Sequence, residues 1–361
     1  MSAFGQGRAL VIGLTDYHAM PSLPDAIRND AAALRQMLVS PRCRCPEDRV
    51  TSLIDAQATR AAILDTLDQL ARDATDQDTV LVYFAGHGGR LAGSADACFL
   101  VHDTAPADLA GTAIAASTLV EKLAAIGARR LLVFLDGCHA AGAAVSQALP
   151  AFTPGLEHEA LAPLLAREGR AIVSSSKATE LSLVPDGDTH SLFAKHLLRG
   201  LLGESAVGGL VTFGRLADHV AARVSAGART LGQAQTVLYD MPMSMRLLVL
   251  AYASPDAASS TMQAMTLPSP ARLRQRIVDS VPDRAALARF VGELSDLIGA
   301  SGYTQAGQPL VLSIDALGGP ETPISDLAQS LVDRLRTPRL LEYLVLAVEE
   351  RRMPRARRGT I

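Results

Sequence analysis

Leu131-Leu-Val-Phe-Leu-Asp-Gly-Cys-His-Ala-Ala-Gly142 is the stretch that decides the fold. Five apolar residues, Leu131 to Leu135, run without a polar break and stop at Asp136-Gly-Cys-His139. A short, wholly apolar run closed by turn residues reads as a strand buried on both faces, as in a parallel α/β sheet. Thr79-Val-Leu-Val-Tyr-Phe84, followed by Ala85-Gly-His-Gly-Gly89, is built the same way. Open α/β sheets gather their functional groups just beyond the carboxyl ends of the strands. The two strands therefore deliver His87 and Cys138 to one sheet edge, 51 residues apart in the chain, room for one crossover with an insertion. A thiol is mostly protonated at neutral pH, so a cysteine nucleophile needs an imidazole beside it.

Working outward, Arg8–Gly13 is a first strand, and Pro24 with Asp25 opens a helix on which Ile27, Ala31, Leu34 and Leu38 share one face. Arg49–Ile54 reads as a second strand, and Thr59 caps a helix running to Leu70. Cys98–Val101 is a hairpin arm, and a helix from Ser117 to Ile126 leads into the Leu131 strand. Such strand–helix alternation implies right-handed crossovers and a mostly parallel sheet flanked by helices. Residues 143–169 are rich in Ala and Pro and read as a mobile loop, only partly helical. Arg170–Ser175 restores a strand, Ser191–Leu202 and Phe213–Val224 read as helices, and Met245–Leu250 as a last strand. Residues 253–270 have a linker's Ala/Ser/Pro composition. Helical spacing then dominates residues 271–361, interrupted at Gly318-Gly-Pro320 and ending in a basic tail from Arg351. The expected organisation is an α/β domain over 1–252, a linker over 253–270 and a small α-helical bundle over 271–361.

The net charge of −3 argues against bulk attraction to nucleic acid or membrane. No run reaches the roughly eighteen apolar residues of a membrane span. The start shows no charged-then-apolar leader, and the four cysteines are too few for a disulfide scaffold in 361 residues. These features suit the cytoplasm, whose reducing conditions keep a nucleophilic thiol free. Cys43-Arg-Cys45 lacks the nearby partners of a zinc site and reads as a solvent-facing loop pair.

Taken together, Ala9–Tyr17, Arg28-Asn-Asp30, Tyr83–Gly88, Leu135–His139 and His190-Ser-Leu-Phe193 resemble the caspase–metacaspase superfamily of cysteine peptidases in its bacterial, metacaspase-like branch. The resemblance covers roughly residues 8–252, divided into a large-subunit-like part (1–142), the loop (143–169) and a small-subunit-like part (170–252). It implies that Cys138 is the nucleophile and His87 the general base and acid, with the backbone N–H groups of Gly88 and Cys138 facing the developing oxyanion. It also implies that Asp30 and Asp136 form an acidic pocket for the residue before the cut. Two carboxylates in one pocket call for a cation, and the planar, bidentate guanidinium of arginine suits them better than lysine. Ser174 and Ser176 are placed along the substrate groove.

Some members of the superfamily need calcium, but no acidic ligand cluster indicates it here, and no metal or other cofactor is expected. Residues 139–166 and 253–271 contain no Lys or Arg, so self-cleavage after the nucleophile would fall at Arg167 or Arg170. The C-terminal helices loosely resemble the effector-associated, death-like domains fused to such proteases, which implies a partner protein and a role in bacterial defence or regulated cell death. The expected activity is endoproteolysis after Arg, then Lys. The competing expectation is a catalytically silent caspase-like adaptor. A nucleotide-binding domain is disfavoured, because Gly13-Leu-Thr-Asp16 is no phosphate loop.

Overall fold

The computed structural model describes residues 3–91, 96–137, 149, 152–155, 158–253, 270–300, 304–305, 308–335, 340, 344 and 347–348. The chain forms two compact units. One comprises Met1–Val211, Leu216–Pro242 and Val249–Pro255; the other comprises Thr212–Arg215, Met243–Leu248 and Asp256–Ile361.

The first unit opens with β1 (Gly7–Gly13), α1 (Ala26–Val39), β2 (Val50–Ile54), α2 (Arg60–Asp73) and β3 (Thr79–Gly86). A hairpin of β4 (Gly88–Leu91) and β5 (Ala97–Phe99) follows, then the short α3 (Leu109–Thr112), β6 (Ile114–Ala115), α4 (Ala116–Ala125) and β7 (Arg130–Gly137). Beyond β7 come β8 (Phe152–Pro154), a 3-10 helix over His158–Ala166, β9 (Arg170–Ser174) and the Leu192–Arg199 helix. β10 (Leu210–Thr212), the Phe213–Thr230 helix, β11 (Leu238–Asp240) and β12 (Val249–Tyr252) complete the α/β part.

The main sheet has the order β11-β9-β7-β3-β1-β2, parallel except for the antiparallel edge strand β11. Its centre is β3 and β7, in which every residue of β3 and seven of the eight of β7 are buried, as the apolar runs required. On one face, Ile12, Val82, Phe84, Val133 and Leu135 pack against Ile63 and Leu67 of α2 and Leu119 of α4. Each fully buried Leu or Ile of this kind contributes roughly 1.5–3 kcal/mol. α1 buries Ile27, Ala31, Leu34 and Leu38, the stripe its spacing predicted. It lies so close to β1 that a Cβ at Gly13 would sit 2.6 Å from the Cβ of Ala31. Thr59 caps α2 by accepting from the N–H of Ala62 at 3.2 Å. A second sheet, β6-β5-β4-β8, hangs from the His87 end of β3.

Several expectations are corrected. The loop expected over 143–169 contains β8 and the 3-10 helix among its described residues. The last strand begins at Val249, not Met245, because Met243–Arg246 makes a helical turn first. Cys43 and Cys45 are buried rather than solvent-facing. Arg44 between them has a positive φ of 63° and lies over the Tyr252 ring at 5.4 Å. In the second unit, the helices Pro270–Ser280, Arg284–Ala300 and Ile324–Arg334 carry the apolar stripes, with a two-residue hairpin, Thr304–Gln305 with Gln308–Pro309, between the last two. The expected linker lies outside the described residues from 254 to 269, and so does the basic tail.

Arg170 is a structural member of this fold. It starts β9 at 2% exposure, and its guanidinium donates to the carbonyls of Ile126 (2.9 Å) and Ala128 (3.0 Å) just before β7. Burial lowers its pKa to about 10, so it is still charged at neutral pH. Truncation to alanine takes the guanidinium from the Ala128 carbonyl, leaves the Ile126 carbonyl only the longer bond from Arg167 at 3.3 Å, and opens a cavity, costing about 3–5 kcal/mol. Thermal unfolding of the full chain should register a loss of about 10 °C; a shift below about 2 °C would refute the role.

Candidate active site

β3 and β7 are parallel neighbours in register, with Ala85 opposite Asp136 and Gly86 opposite Gly137. The next residue after β3 is His87. The next after β7 is Cys138, which with His139 lies outside the described residues. His87 is 1% exposed, and its backbone is held on both sides: its N–H donates to Tyr17 Oη (2.8 Å), and its carbonyl accepts from the N–H of Leu100 (2.9 Å). The Tyr17 and His87 rings stand 5.0 Å apart. Gly88 opens β4, and its carbonyl accepts from the N–H of Gly155 at 2.9 Å.

The two sequence-nominated aspartates come together. Asp30, from the middle of α1, and Asp136, near the end of β7, are both fully buried. Ser191 bridges them: its N–H donates to Asp30 Oδ2 (3.1 Å), and its hydroxyl donates to Asp136 Oδ2 (2.8 Å). Asp136 also accepts from the hydroxyls of Ser182 (2.9 Å) and Tyr83 (3.2 Å), and Ser175 hydrogen-bonds to it as well. The second partner of Asp30 is His190, whose Nδ1 lies 2.6 Å from Oδ1. Burial pushes the Asp30 carboxyl up to about 6, the hydrogen bond from His190 opposes that, and the charge of Asp136 adds to it. Burial likewise raises Asp136 against the pull of its hydroxyl donors. Pairing with Asp30 raises the pKa of His190. The arrangement is a pair of carboxylates that burial disfavours as anions, a place that gains by receiving a cation.

The remaining nominated residues are distributed differently. Ser174 pairs in register with Leu135, on the sheet face packed by α2 and α4. Its hydroxyl is 2.8 Å from Nδ1 of His158, whose Nε2 is 3.0 Å from Asp240 Oδ2. Ser174 thus fastens the 3-10 helix to the sheet and, unlike Ser175, makes no hydrogen bond to the aspartates. Strand alternation explains the one-residue displacement. Ser176 is buried and also makes none. Of the two nominated self-cleavage residues, Arg167 is exposed between the 3-10 helix and β9, whereas Arg170 is locked in the core.

Sequence reasoning missed Ser175, Ser182 and Ser191 as carboxylate partners and Tyr17 as the support of the His87 backbone. The one local signal was His190-Ser-Leu-Phe193, where Ser191 indeed caps the following helix by accepting from the N–H of Ala194 at 3.0 Å. No group of three or more potential metal ligands occurs among the described residues. Among those residues no helix is long and apolar enough to cross a membrane.

Residues 6–247, about two thirds of the chain, match the caspase domain family, Peptidase_C14. The chain belongs to that family, and its mostly parallel sheet flanked by helices is the caspase-like architecture. A stretch of 92 residues is 33% identical to Metacaspase-1B of Aspergillus terreus, covering 24% of this chain and 24% of that protein. The chain therefore spans about a quarter of the length of that curated relative. The crystal structure of protein GSU0716 from Geobacter sulfurreducens is similar at a TM-score of 0.45 and 17% identity, over 65% of this chain and 92% of that one.

Proposed function

We propose that the protein is a cysteine endopeptidase that cleaves after basic residues, arginine before lysine, with Cys138 as nucleophile and His87 as its base. The carrying observation is the Asp30–Ser191–Asp136 constellation, set on the same strand end that continues into Cys138, next to the strand end that continues into His87. The other three cysteines support the choice of nucleophile. Cys43, Cys45 and Cys98 are buried, and burial pushes their thiols up to about 12, 12 and 11. A thiol held protonated is inert, which leaves Cys138 among the four.

In the proposed reaction the guanidinium of the substrate lies against the aspartate pair, fixing the following carbonyl over the thiol. His87 takes the thiol proton as sulfur attacks. Backbone N–H groups of Gly88 and Cys138 stabilise the oxyanion, worth about 3–4 kcal/mol per donor. His87 returns the proton to the leaving amine, and water then hydrolyses the Cys138 thioester with His87 as base again. Arg167 is the exposed candidate for self-cleavage, and no metal or cofactor enters the scheme. The residues after 270 are proposed to recruit a partner protein, in a bacterial defence or cell-death setting.

The test is turnover by the full chain of fluorogenic peptides ending in Arg, Lys or Asp, beside Cys138→Ala. The expected order is Arg, then Lys, with no cleavage after Asp and a loss of about 10³-fold or more in the variant. Cleavage after Asp would keep the peptidase and discard the acidic pocket. Silence on all three, with Cys138 also inert to a thiol-directed probe, would leave the adaptor reading.

A further inference from the structure

The acidic pair already has an occupant. Among the described residues, His190 supplies the one basic side chain that hydrogen-bonds to either carboxylate, and it does so at 2.6 Å. Its side chain is 30% exposed while that of Asp30 is 0% exposed, so the imidazole lies between the carboxylate and solvent. Its position is fixed from behind: Ser191, the next residue, is bonded to both aspartates. From the front, the Asn29 amide donates to the carbonyl of Thr189 at 3.1 Å. A basic substrate side chain that reaches Asp30 must take the place of this imidazole.

We infer that His190 is the internal counter-ion of the pocket, a specificity-setting residue that holds the cation position on Asp30 and yields it to the basic side chain of the substrate. The inference rests on the acidic-pocket reading and deepens it. Two consequences follow from the exchange. First, affinity for a guanidinium is a difference between two ion pairs, so only a cation that outcompetes an imidazolium enters. Arginine, with its bidentate fork, competes better than lysine. Second, the exchange moves a proton. An imidazolium paired with a carboxylate keeps its proton to higher pH than a free one, and His190 is shifted upward in this way. Once displaced, it titrates nearer its ordinary value and gives that proton up near neutral pH.

The charged groups around His190 do not reverse this. Asp30 faces it from α1, with Asp136 of β7 behind Asp30. Asp188 on its own loop raises it, and Lys195 on the following helix lowers it. These last two are paired with each other at 2.7 Å.

Benzamidine, a planar amidinium that needs no catalysis, probes the exchange in the full-length protein. Calorimetric titration at pH 7.5 in two buffers of different ionisation enthalpy reads affinity and proton release together. The wild type should bind with release of a fraction of a proton. His190→Ala should bind about tenfold more tightly, the worth of one charge-assisted hydrogen bond no longer displaced, and has no imidazolium proton to release; any proton it still gives up comes from Asp30, which loses the His190 bond that lowers its pKa. His190→Asn keeps a neutral donor toward Asp30, so it guards against a folding defect in the alanine variant; it too has no imidazolium proton to release. Equal affinity and equal proton release in wild type and both variants would overturn the inference while leaving the pocket standing. Absence of benzamidine binding in all three proteins would instead remove the acidic pocket, and the inference with it.

Discussion

Asp30→Asn should lower cleavage after arginine about 100-fold, mostly through KM, and at the same time make the protein more stable at pH 8. The first effect follows from removing one of the two carboxylates proposed to face the substrate guanidinium; charge-assisted bonds of this kind are worth about 1.5–3 kcal/mol. The second follows from the cost of keeping Asp30 ionised inside the protein. Burial holds its carboxyl at about 6, against 3.8 for an ordinary aspartate. Folded chains therefore keep a proton that unfolded chains release. The cost is absent below about pH 4, grows between pH 4 and 6, and is complete above 6, where it amounts to about 3 kcal/mol. Asparagine removes it, less whatever hydrogen bonding to His190 is lost, and a domain of this size should gain several degrees in Tm. The gain should shrink as pH falls below 6 and vanish near 4. A variant less stable than wild type at pH 8 would show that the carboxylate stabilises the fold through Ser191 and His190. In that event the pocket could not be described as a strained receptor for cations.

That balance clarifies what the sequence disclosed. The parallel core was legible because Leu131–Leu135 and Thr79–Phe84 are apolar on both faces, a pattern few other environments tolerate. Asp30 and Asp136 could be nominated from their motifs. Their shared hydrogen-bond partner could not, because Ser191 lies 161 residues from Asp30 and 55 from Asp136, and no local pattern announces a contact across such a span. Three serines in a row, Ser174 to Ser176, made the groove easy to guess and its membership hard. Period-two alternation sends Ser174 to His158 and Ser175 to Asp136, and one residue of register decides between them. Arg170 misled for a related reason. An arginine at a loop boundary reads as exposed, yet the carbonyls of Ile126 and Ala128 needed a buried donor, and its long side chain reaches both. Cys43 and Cys45 became core residues through the left-handed turn at Arg44, a conformation rare enough in arginine that composition did not signal it.

His87→Ala should lower kcat/KM for arginine peptides by about 10²–10⁴-fold with KM nearly unchanged, because the imidazole serves the proposed proton transfers and the aspartates serve binding. The separation is built into the fold. Asp30 stands on α1 and Asp136 accepts from Tyr83, Ser182 and Ser191, while the backbone of His87 is fixed independently by Tyr17 and Leu100. Truncating the ring leaves those backbone bonds in place, so benzamidine affinity should survive the substitution. Combining His87→Ala with Cys138→Ala should be no worse than Cys138→Ala alone, since a base without its nucleophile has nothing to activate. Losses that multiplied in the double variant would mean that the two residues act in separate steps. A wild-type rate in His87→Ala would assign the base to another group and leave the β3–β7 register as a feature of the fold alone.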